Sequence, residues 1–254
     1  MYSWCLSQDV PASRICFAGD SAGGGLVVAV MAAAKEAGLP LPAAGIMISP
    51  WVDMTDDCSA GSWQSNRDFD YLLPAWTKFL ADAYAGTYSL RDVSVSSLEL
   101  AGLPPLLVEV GELEVLRDQI ESFARKAQQA GVDVELFVEE GMVHVFPLFA
   151  AVSRADSPPN TVFRHIAAFL DRVQDQDEGS GASSETCVDS GCVSRSQVNR
   201  VIPAKGVLDR KEATQNLLSH GEDAVDQSGG QSPARRRSAN LPDCCSTPSL
   251  LDLV

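Results

Sequence analysis

Aromatic residues are missing from the last third of this 254-residue chain, because all 9 Phe, 4 Tyr and 4 Trp lie before residue 174. A segment without large apolar side chains cannot bury enough surface to offset the entropy lost on folding. We therefore expect residues 1–173 to form one folded domain and residues 174–254 to be a disordered, low-complexity tail.

The chain also lacks the sequence features that direct a protein to or across a membrane. Its first residues show no basic stretch followed by an apolar core, and no run of 18 apolar residues occurs. We therefore predict no signal peptide and no membrane span. The seven cysteines are odd in number and show no zinc-ligand spacing, which predicts free thiols in a reducing, cytoplasmic compartment.

Positive charge is scarce as well: 19 Lys and Arg residues face 34 Asp and Glu residues, giving a net charge of −15. An acidic domain repels the phosphates of nucleic acids and anionic lipids, so we expect neither as a partner.

The most informative stretch is Ile15 to Leu26. A short apolar run is followed by the G-x-S-x-G pattern of Gly19–Gly23 and then by an Ala-rich helical pattern. Strand, G-x-S-x-G and helix in that order are typical of a nucleophile elbow. We expect collisions at this tight turn to require glycine at 19 and 23. The pattern fits neither a phosphate-binding loop, which needs G-x-G-x-x-G or a Lys-Ser/Thr pair, nor a trypsin-like protease, whose Ser follows its His and Asp.

Further apolar runs predict strands at 44–49, 105–110 and 133–138, the last with the alternation of an outer strand. Helices are predicted at 1–8, 26–37, 72–84, 117–130 and 161–173, with loops over 51–63 and 87–103. Strands and helices in alternation predict an α/β fold with a mostly parallel sheet covered by helices on both faces. The groups that follow parallel strands should meet at one edge of the sheet.

Candidate chemical groups follow three of these strands. Ser21 is a candidate nucleophile, and His144 is a candidate general base because imidazole can exchange a proton near neutral pH. The third group is a carboxylate that would accept a hydrogen bond from the imidazole, and Glu112, Glu114 and Asp118 are all candidates. We favour Glu114, because Asp118 is explained as an acid in the first turn of a helix and Glu112 should point to solvent.

At these residues the chain resembles the hormone-sensitive-lipase-like carboxylesterases of the α/β-hydrolase superfamily. The matching segments have the family's order and cover about residues 9–173; they are Gly19–Gly24, Ser49–Asp53, Gly102–Leu107, Gly111–Asp118 and Gly141–Phe146. The resemblance implies a partial α/β-hydrolase fold with Ser21 as nucleophile, His144 as base and the acid at 114, where the family usually has Asp. It also implies an ester substrate with a short-to-medium acyl chain, no metal and no organic cofactor.

One family feature is missing, namely the His-Gly-Gly-Gly loop that supplies oxyanion-hole N–H groups well upstream of the nucleophile. Only 20 residues precede Ser21, so the Ala22 N–H is the donor that we expect to serve. We interpret the sequence as an N-terminally incomplete form of a longer esterase. The strand before Ser21 should then be an exposed apolar edge, which invites self-association, so a homo-oligomer is a further expectation.

Two functions remain open. The first is a serine esterase that works through an acyl-enzyme, and the second is a non-catalytic or impaired α/β-hydrolase-fold protein that binds a small molecule or a partner. The wall of a substrate pocket has apolar candidates that serve equally well as core or lid: Trp51, Trp63, Phe69, Tyr71 and Trp76. In the tail, Arg235–Ser238 resembles a basophilic kinase site, and Cys244–Cys245 could be acylated, although two inert thiols explain that pair better.

Overall fold

The computed structural model describes residues 1–181 and 201–203, with side chains as far as Asp175. Its strands are β1 Cys16–Asp20, β2 Ala44–Ile48, β3 Leu106–Gly111, β4 Val134–Glu139 and β5 Val201–Pro203. Its α-helices are α1 Tyr2–Ser7, α2 Ala22–Glu36, α3 Ser62–Ser65, α4 Pro74–Ala85, α5 Leu90–Val93, α6 Arg117–Gln129 and α7 Pro158–Gly181. Short 3₁₀ helices span Ala12–Arg14, Val95–Ser97 and Phe146–Val152.

All five strands are parallel, and they lie in the order β1-β2-β3-β4-β5. The predicted α/β class with a parallel sheet is therefore confirmed. Within the part of the chain that the structure describes, β1 pairs only with β2 and is an edge strand, as expected. None of the described helices is both long enough and apolar enough to cross a bilayer.

Alternation along the strands divides the core into two layers. On one face of the sheet, Met47 of β2 and Val108 of β3 pack in a large cluster with α2 and α6. On the other face, Ile46 and Leu107 pack against Phe169 of α7. Successive residues of the same strand thus contact different helices, which confirms the expected helices on both faces.

The buried face of α6 is formed by Ile120, Phe123, Ala124 and Ala127, which follow a helical period. Gly131 follows this helix with φ +85°, a left-handed conformation that glycine adopts at little cost and that ends the helix. Helix α4 begins at Pro74, where the missing N–H of proline costs nothing, and it is followed by Gly86 at φ +56°.

Several expectations about local structure were wrong. Helix α3 lies at the end of the predicted loop 51–63, and α5 together with Val95–Ser97 gives short helices within the predicted loop 87–103. These helices are three or four residues long, so they carry no period that a sequence pattern could reveal. The strand β4 is not outermost, because β5 pairs with it through Leu136 and Val201.

The predicted boundary at residue 173 also needs correction, because α7 continues to Gly181 and Val201–Pro203 form β5. These parts of the segment 174–254 have regular secondary structure. The rest of the predicted tail, including Arg235–Ser238 and Cys244–Cys245, lies outside the described residues.

Candidate active site

The turn between β1 and α2 holds Ser21 in a conformation that few residues adopt. Its backbone has φ 50° and ψ −120°, which is strained for a residue with a Cβ atom. The Ser21 N–H donates to Ile48 O at 2.9 Å, and Ser21 O accepts from Trp51 N at 2.8 Å. Contacts with the last residue of β2 and with the segment that follows it therefore hold the predicted elbow in place.

The glycines around Ser21 are needed for steric reasons that were only partly predictable from the local turn. A Cβ atom on Gly19 would overlap the carbonyl of Gly23, as expected, but a Cβ on Gly23 would meet nothing within 4 Å. The expected requirement at 23 is therefore wrong. The steric requirement for glycine lies instead at the next two residues. A Cβ on Gly24 would lie 2.8 Å from Pro50 Cβ, and a Cβ on Gly25 would lie 2.5 Å from Trp51 O.

The loop after β4 brings His144 to the elbow. His144 is only 2 % exposed, and its Nε2 lies 2.9 Å from Ser21 Oγ. Its Nδ1 lies 3.1 Å from Glu114 Oε2. The structure thus brings together the three side chains singled out from the sequence, although they are as many as 123 residues apart along the chain.

Glu114 lies in the turn between β3 and α6 and is fully buried. Burial raises the pKa of this carboxyl above its ordinary value, while hydrogen bonds from His144, Ser49 and Gly111 act in the opposite direction. The Ser49 hydroxyl donates to Glu114 Oε1 at 2.5 Å, and the Gly111 N–H reaches the same oxygen at 2.5 Å. Each oxygen of this buried carboxylate therefore has a hydrogen-bond donor.

The structure does not bring the alternative acid, Asp118, to the imidazole. The Asp118 side chain is half exposed, accepts from Ser62 N at 2.8 Å and pairs with Arg117. It therefore fixes the start of α3 on α6, and naming it as a candidate acid was wrong. Glu112 is partly exposed and accepts from Gly141 N at 3.1 Å, which ties it to the loop that carries His144.

Several residues that hold this site were not identified from the sequence. Asp70, 7 % exposed, accepts from Val115 N at 2.8 Å and from His144 N at 3.3 Å, so one carboxylate joins the loops of the acid and the base. Asn66 donates to Glu114 O at 2.8 Å. The segment 66–71 showed no regular pattern, so no sequence signal pointed to these contacts.

Ser49 completes this set of supporting contacts. Its hydroxyl donates to Glu114 and accepts from Val145 N at 2.9 Å, next to His144. Ser49 lay within a segment that carried the family resemblance, but nothing in that segment indicated the role of its side chain.

A cavity of about 630 Å³ lies beside the segment after β2. Trp51 and Trp63 line it, whereas Ser21 and His144 are not among its lining residues. Both tryptophans are buried in the core, while Phe69, Tyr71 and Trp76 are each at least half exposed. Of the five apolar candidates for a pocket wall, Trp51 and Trp63 line this cavity, and Phe69, Tyr71 and Trp76 are not among its lining residues.

Comparison with known proteins agrees with this architecture. A family model described as the alpha/beta hydrolase fold matches residues 1–148, more than half of the chain. The chain belongs to the α/β-hydrolase fold family. The resemblance to hormone-sensitive-lipase-like carboxylesterases is also confirmed, since solved esterases of that family are similar in sequence and structure.

Among the solved α/β-hydrolases, an esterase from the bacterial hormone-sensitive lipase family is 37 % identical, with a TM-score of 0.61 over 69 % of this chain and 57 % of its own. A hormone-sensitive lipase from a metagenome library is 35 % identical with a TM-score of 0.63, over 68 % of this chain and 57 % of its own.

Curated relatives are an acetyl-hydrolase of Streptomyces hygroscopicus, 40 % identical over 57 % of this chain and 49 % of its own length, and an esterase of Acinetobacter venetianus, 33 % identical over 59 % and 50 %. The chain spans about half the length of these relatives.

One further group lies next to Ser21 in this α/β-hydrolase fold, namely the backbone N–H at the start of α2. Ala22 is the first residue of that helix, and the first four N–H groups of a helix have no intrahelical acceptor. The partial positive charge at a helix N-terminus favours an anion there. The position of Ala22 directly after Ser21 makes its N–H a candidate oxyanion donor.

Proposed function

We propose that this chain carries the nucleophile, acid and base of a serine carboxylesterase that hydrolyses short-to-medium acyl esters through an acyl-enzyme. The observation that carries the proposal is the continuous contact from Ser21 Oγ to His144 at 2.9 Å and from His144 to Glu114 at 3.1 Å. The nucleophile–base–acid arrangement of serine hydrolases requires this order of contacts.

In the first step, Ser21 Oγ attacks the ester carbonyl carbon while its proton passes to His144 Nε2. The Glu114 carboxylate accepts from His144 Nδ1–H, which keeps Nε2 free to act as a base and stabilises the imidazolium that forms. The tetrahedral intermediate carries its negative charge on the former carbonyl oxygen, and the Ala22 N–H donates to that oxygen.

Collapse of the intermediate breaks the bond to the alkoxy oxygen, which takes the proton from His144 Nε2 and leaves as the alcohol. Water then attacks the acyl carbon, and its proton passes to the same nitrogen. The Ser21 oxygen leaves with that proton, which releases the carboxylic acid and restores the starting state.

The substrate class follows from the relatives rather than from a pocket in this structure. The relatives named above are an acetyl-hydrolase and esterases, which supports a small acyl group. The alternative of a non-catalytic binding protein is not favoured, because all three reacting side chains are present and in contact. A cytoplasmic location and self-association stay predictions.

The proposal is tested by the turnover of p-nitrophenyl butyrate and by labelling with a fluorophosphonate probe. We expect the chain to release p-nitrophenol and to be labelled at Ser21, and we expect Ser21→Ala to lose both. Ser7→Ala is a matched control, because Ser7 is exposed and its hydroxyl donates to Trp4 O and accepts from the Gln8 side-chain amide, both far from Ser21 in the sequence. A folded chain in which the probe fails to modify Ser21 would contradict the proposal.

A further inference from the structure

A second group of titratable side chains lies on the α7 face of the sheet. Glu109 lies two residues after Leu107 on β3, so its side chain points to the same face of the sheet, which α7 covers, and it is fully buried. Glu139 is the last residue of β4. His165 of α7 extends to both of them.

The three side chains converge on one point. His165 Nδ1 lies 2.9 Å from Glu109 Oε1 and 3.7 Å from Glu139 Oε1. One nitrogen or oxygen atom from each residue can be chosen so that all three lie within 4.8 Å of one another. The imidazole ring stacks on Phe137 at 4.0 Å with an interplanar angle of 13°, which fixes the plane of the ring.

The described residues do not supply a hydrogen-bond partner for every polar atom of these three side chains. Glu109 Oε2 is buried and has no hydrogen-bond partner among them. A buried carboxylate oxygen without a donor is costly, and His165 offers only one N–H to two carboxylates. The cluster therefore has more acceptors than donors, in a place where the Glu109 side chain has no access to water.

We propose that Glu109, Glu139 and His165 bind a divalent transition-metal cation of the zinc class. Two carboxylates and a neutral imidazole balance a charge of +2. Imidazole nitrogen together with carboxylate oxygen suits zinc better than magnesium or calcium, which prefer ligand sets made of oxygen alone.

The distances agree with such a site. Bonds of about 2.1 Å in tetrahedral geometry place ligand atoms about 3.4 Å apart. The observed separations of 2.9 and 3.7 Å lie on either side of that value. The Glu139 side chain is 11 % exposed and the His165 side chain 26 %, so the cation and a bound water can enter from the solvent side.

The ligands come from β3, β4 and α7, and Glu109 and His165 are 56 residues apart in the chain. A cation held by all three exists only in the folded state, so its binding stabilises the fold. This role is independent of ester hydrolysis, because in the described part of the chain no hydrogen bond joins the three side chains to those of Ser21 or His144.

The test is Zn²⁺ binding by the full chain after chelator treatment, followed by calorimetry and thermal unfolding. We expect one equivalent to bind and the melting temperature to rise roughly 5–10 °C when free Zn²⁺ is about 100 times Kd. Glu139→Gln and His165→Ala should each abolish this rise. The first is conservative and replaces a side chain that is 11 % exposed, whereas Glu109 is fully buried, so it is expected to fold. His220→Ala is the control and should bind as the parent does.

Co²⁺ distinguishes these ligands from the cysteines. At this site it should bind without a thiolate charge-transfer band, and prior alkylation of the thiols should leave binding unchanged. Zn²⁺ binding that persists in both Glu139→Gln and His165→Ala, or that alkylation removes, would overturn the proposal. No detectable binding by the parent chain would do so as well.

Discussion

Ser49 allows the clearest test of how the candidate acid and base are held in position. Its fully buried hydroxyl donates to Glu114 Oε1 at 2.5 Å and accepts from Val145 N at 2.9 Å. Ser49→Ala removes a hydrogen bond to a charged group, worth about 1.5–3 kcal/mol, and leaves a buried N–H unpaired. If the transition state loses the stabilisation from the hydrogen bond to Glu114, kcat should fall roughly 10- to 150-fold.

Ser49→Ala should also change the pH dependence of the reaction, because it changes the pKa of Glu114. Burial raises this pKa, and the Ser49 hydroxyl is one of the donors that oppose the rise by stabilising the ionised carboxylate. Ser49→Ala should therefore raise the pKa further, and the acidic limb of the pH–rate profile should move to higher pH. A change in side-chain packing alone would not produce this shift.

The assay is the pH dependence of p-nitrophenyl butyrate hydrolysis, with chemical denaturation measured in parallel. Ser62→Ala is the matched control, because Ser62 is also buried and has two hydrogen bonds, but its hydroxyl contacts Val115 O and Asp118 N. Ser62→Ala should lower the free energy of unfolding, but the acidic limb of its pH–rate profile should stay in place. The reasoning is refuted if Ser49→Ala keeps kcat within twofold and does not move that limb.

Two further predictions concern stability and thiol reactivity. Gly24→Ala should destabilise the fold by about 1–3 kcal/mol in denaturant titrations, because its new Cβ would meet Pro50. Gly23→Ala, in the same helix with open space around it, should be neutral or stabilising by about 0.5–1 kcal/mol, and equal effects at both positions would contradict the packing argument. Burial raises the pKa of the Cys58 thiol from 9.0 to about 11, so alkylation near pH 8 should be roughly 10- to 100-fold slower than for a thiol at 9.0. Its rate, followed by mass spectrometry, should keep rising up to about pH 11, and a plateau near pH 9 would contradict the assignment.

The elbow was predictable from the sequence because all of its parts are contiguous. Strand, Ser21 and helix follow one another within β1 and α2, so local pattern and turn geometry were sufficient. The requirement for glycine was predicted at Gly19 and missed at Gly24, because the second depends on Pro50, 26 positions along the chain, and not on the turn itself. Tertiary contacts of this kind leave no mark on a local pattern.

The same difference between local sequence signals and tertiary contacts applies to the candidate catalytic side chains and to the residues that hold them. His144 and Glu114 were found because each follows a predicted strand, and parallel strands end at one edge of the sheet. Asp70 follows no strand; it reaches the site only because the segment after α3 folds back over the loops of the acid and the base. Glu114 was already favoured over Asp118 from the sequence, and the observed turn after β3 places Glu114, not Asp118, against His144.

Histidine–carboxylate contacts involve β3 and β4, or the loops that follow them, at two places, and only one of these contacts was predicted from the sequence. β3 leads to Glu114 and β4 leads to His144 beyond the end of the sheet, where Ser21 supplies a hydroxyl. Five residues before Glu114 and His144 in the sequence, Glu109 on β3 and Glu139 on β4 meet His165 on the covered face. Both of these carboxylates approach the same ring nitrogen, Nδ1 of His165, whereas His144 contacts Glu114 through Nδ1 and Ser21 through Nε2. An imidazole with a carboxylate at one nitrogen and a hydroxyl at the other can take up the hydroxyl proton. An imidazole with two carboxylates at one nitrogen has no hydroxyl there to activate, and the excess of negative charge attracts a cation. The groups around the two ring nitrogens therefore decide which histidine suits catalysis and which suits a cation.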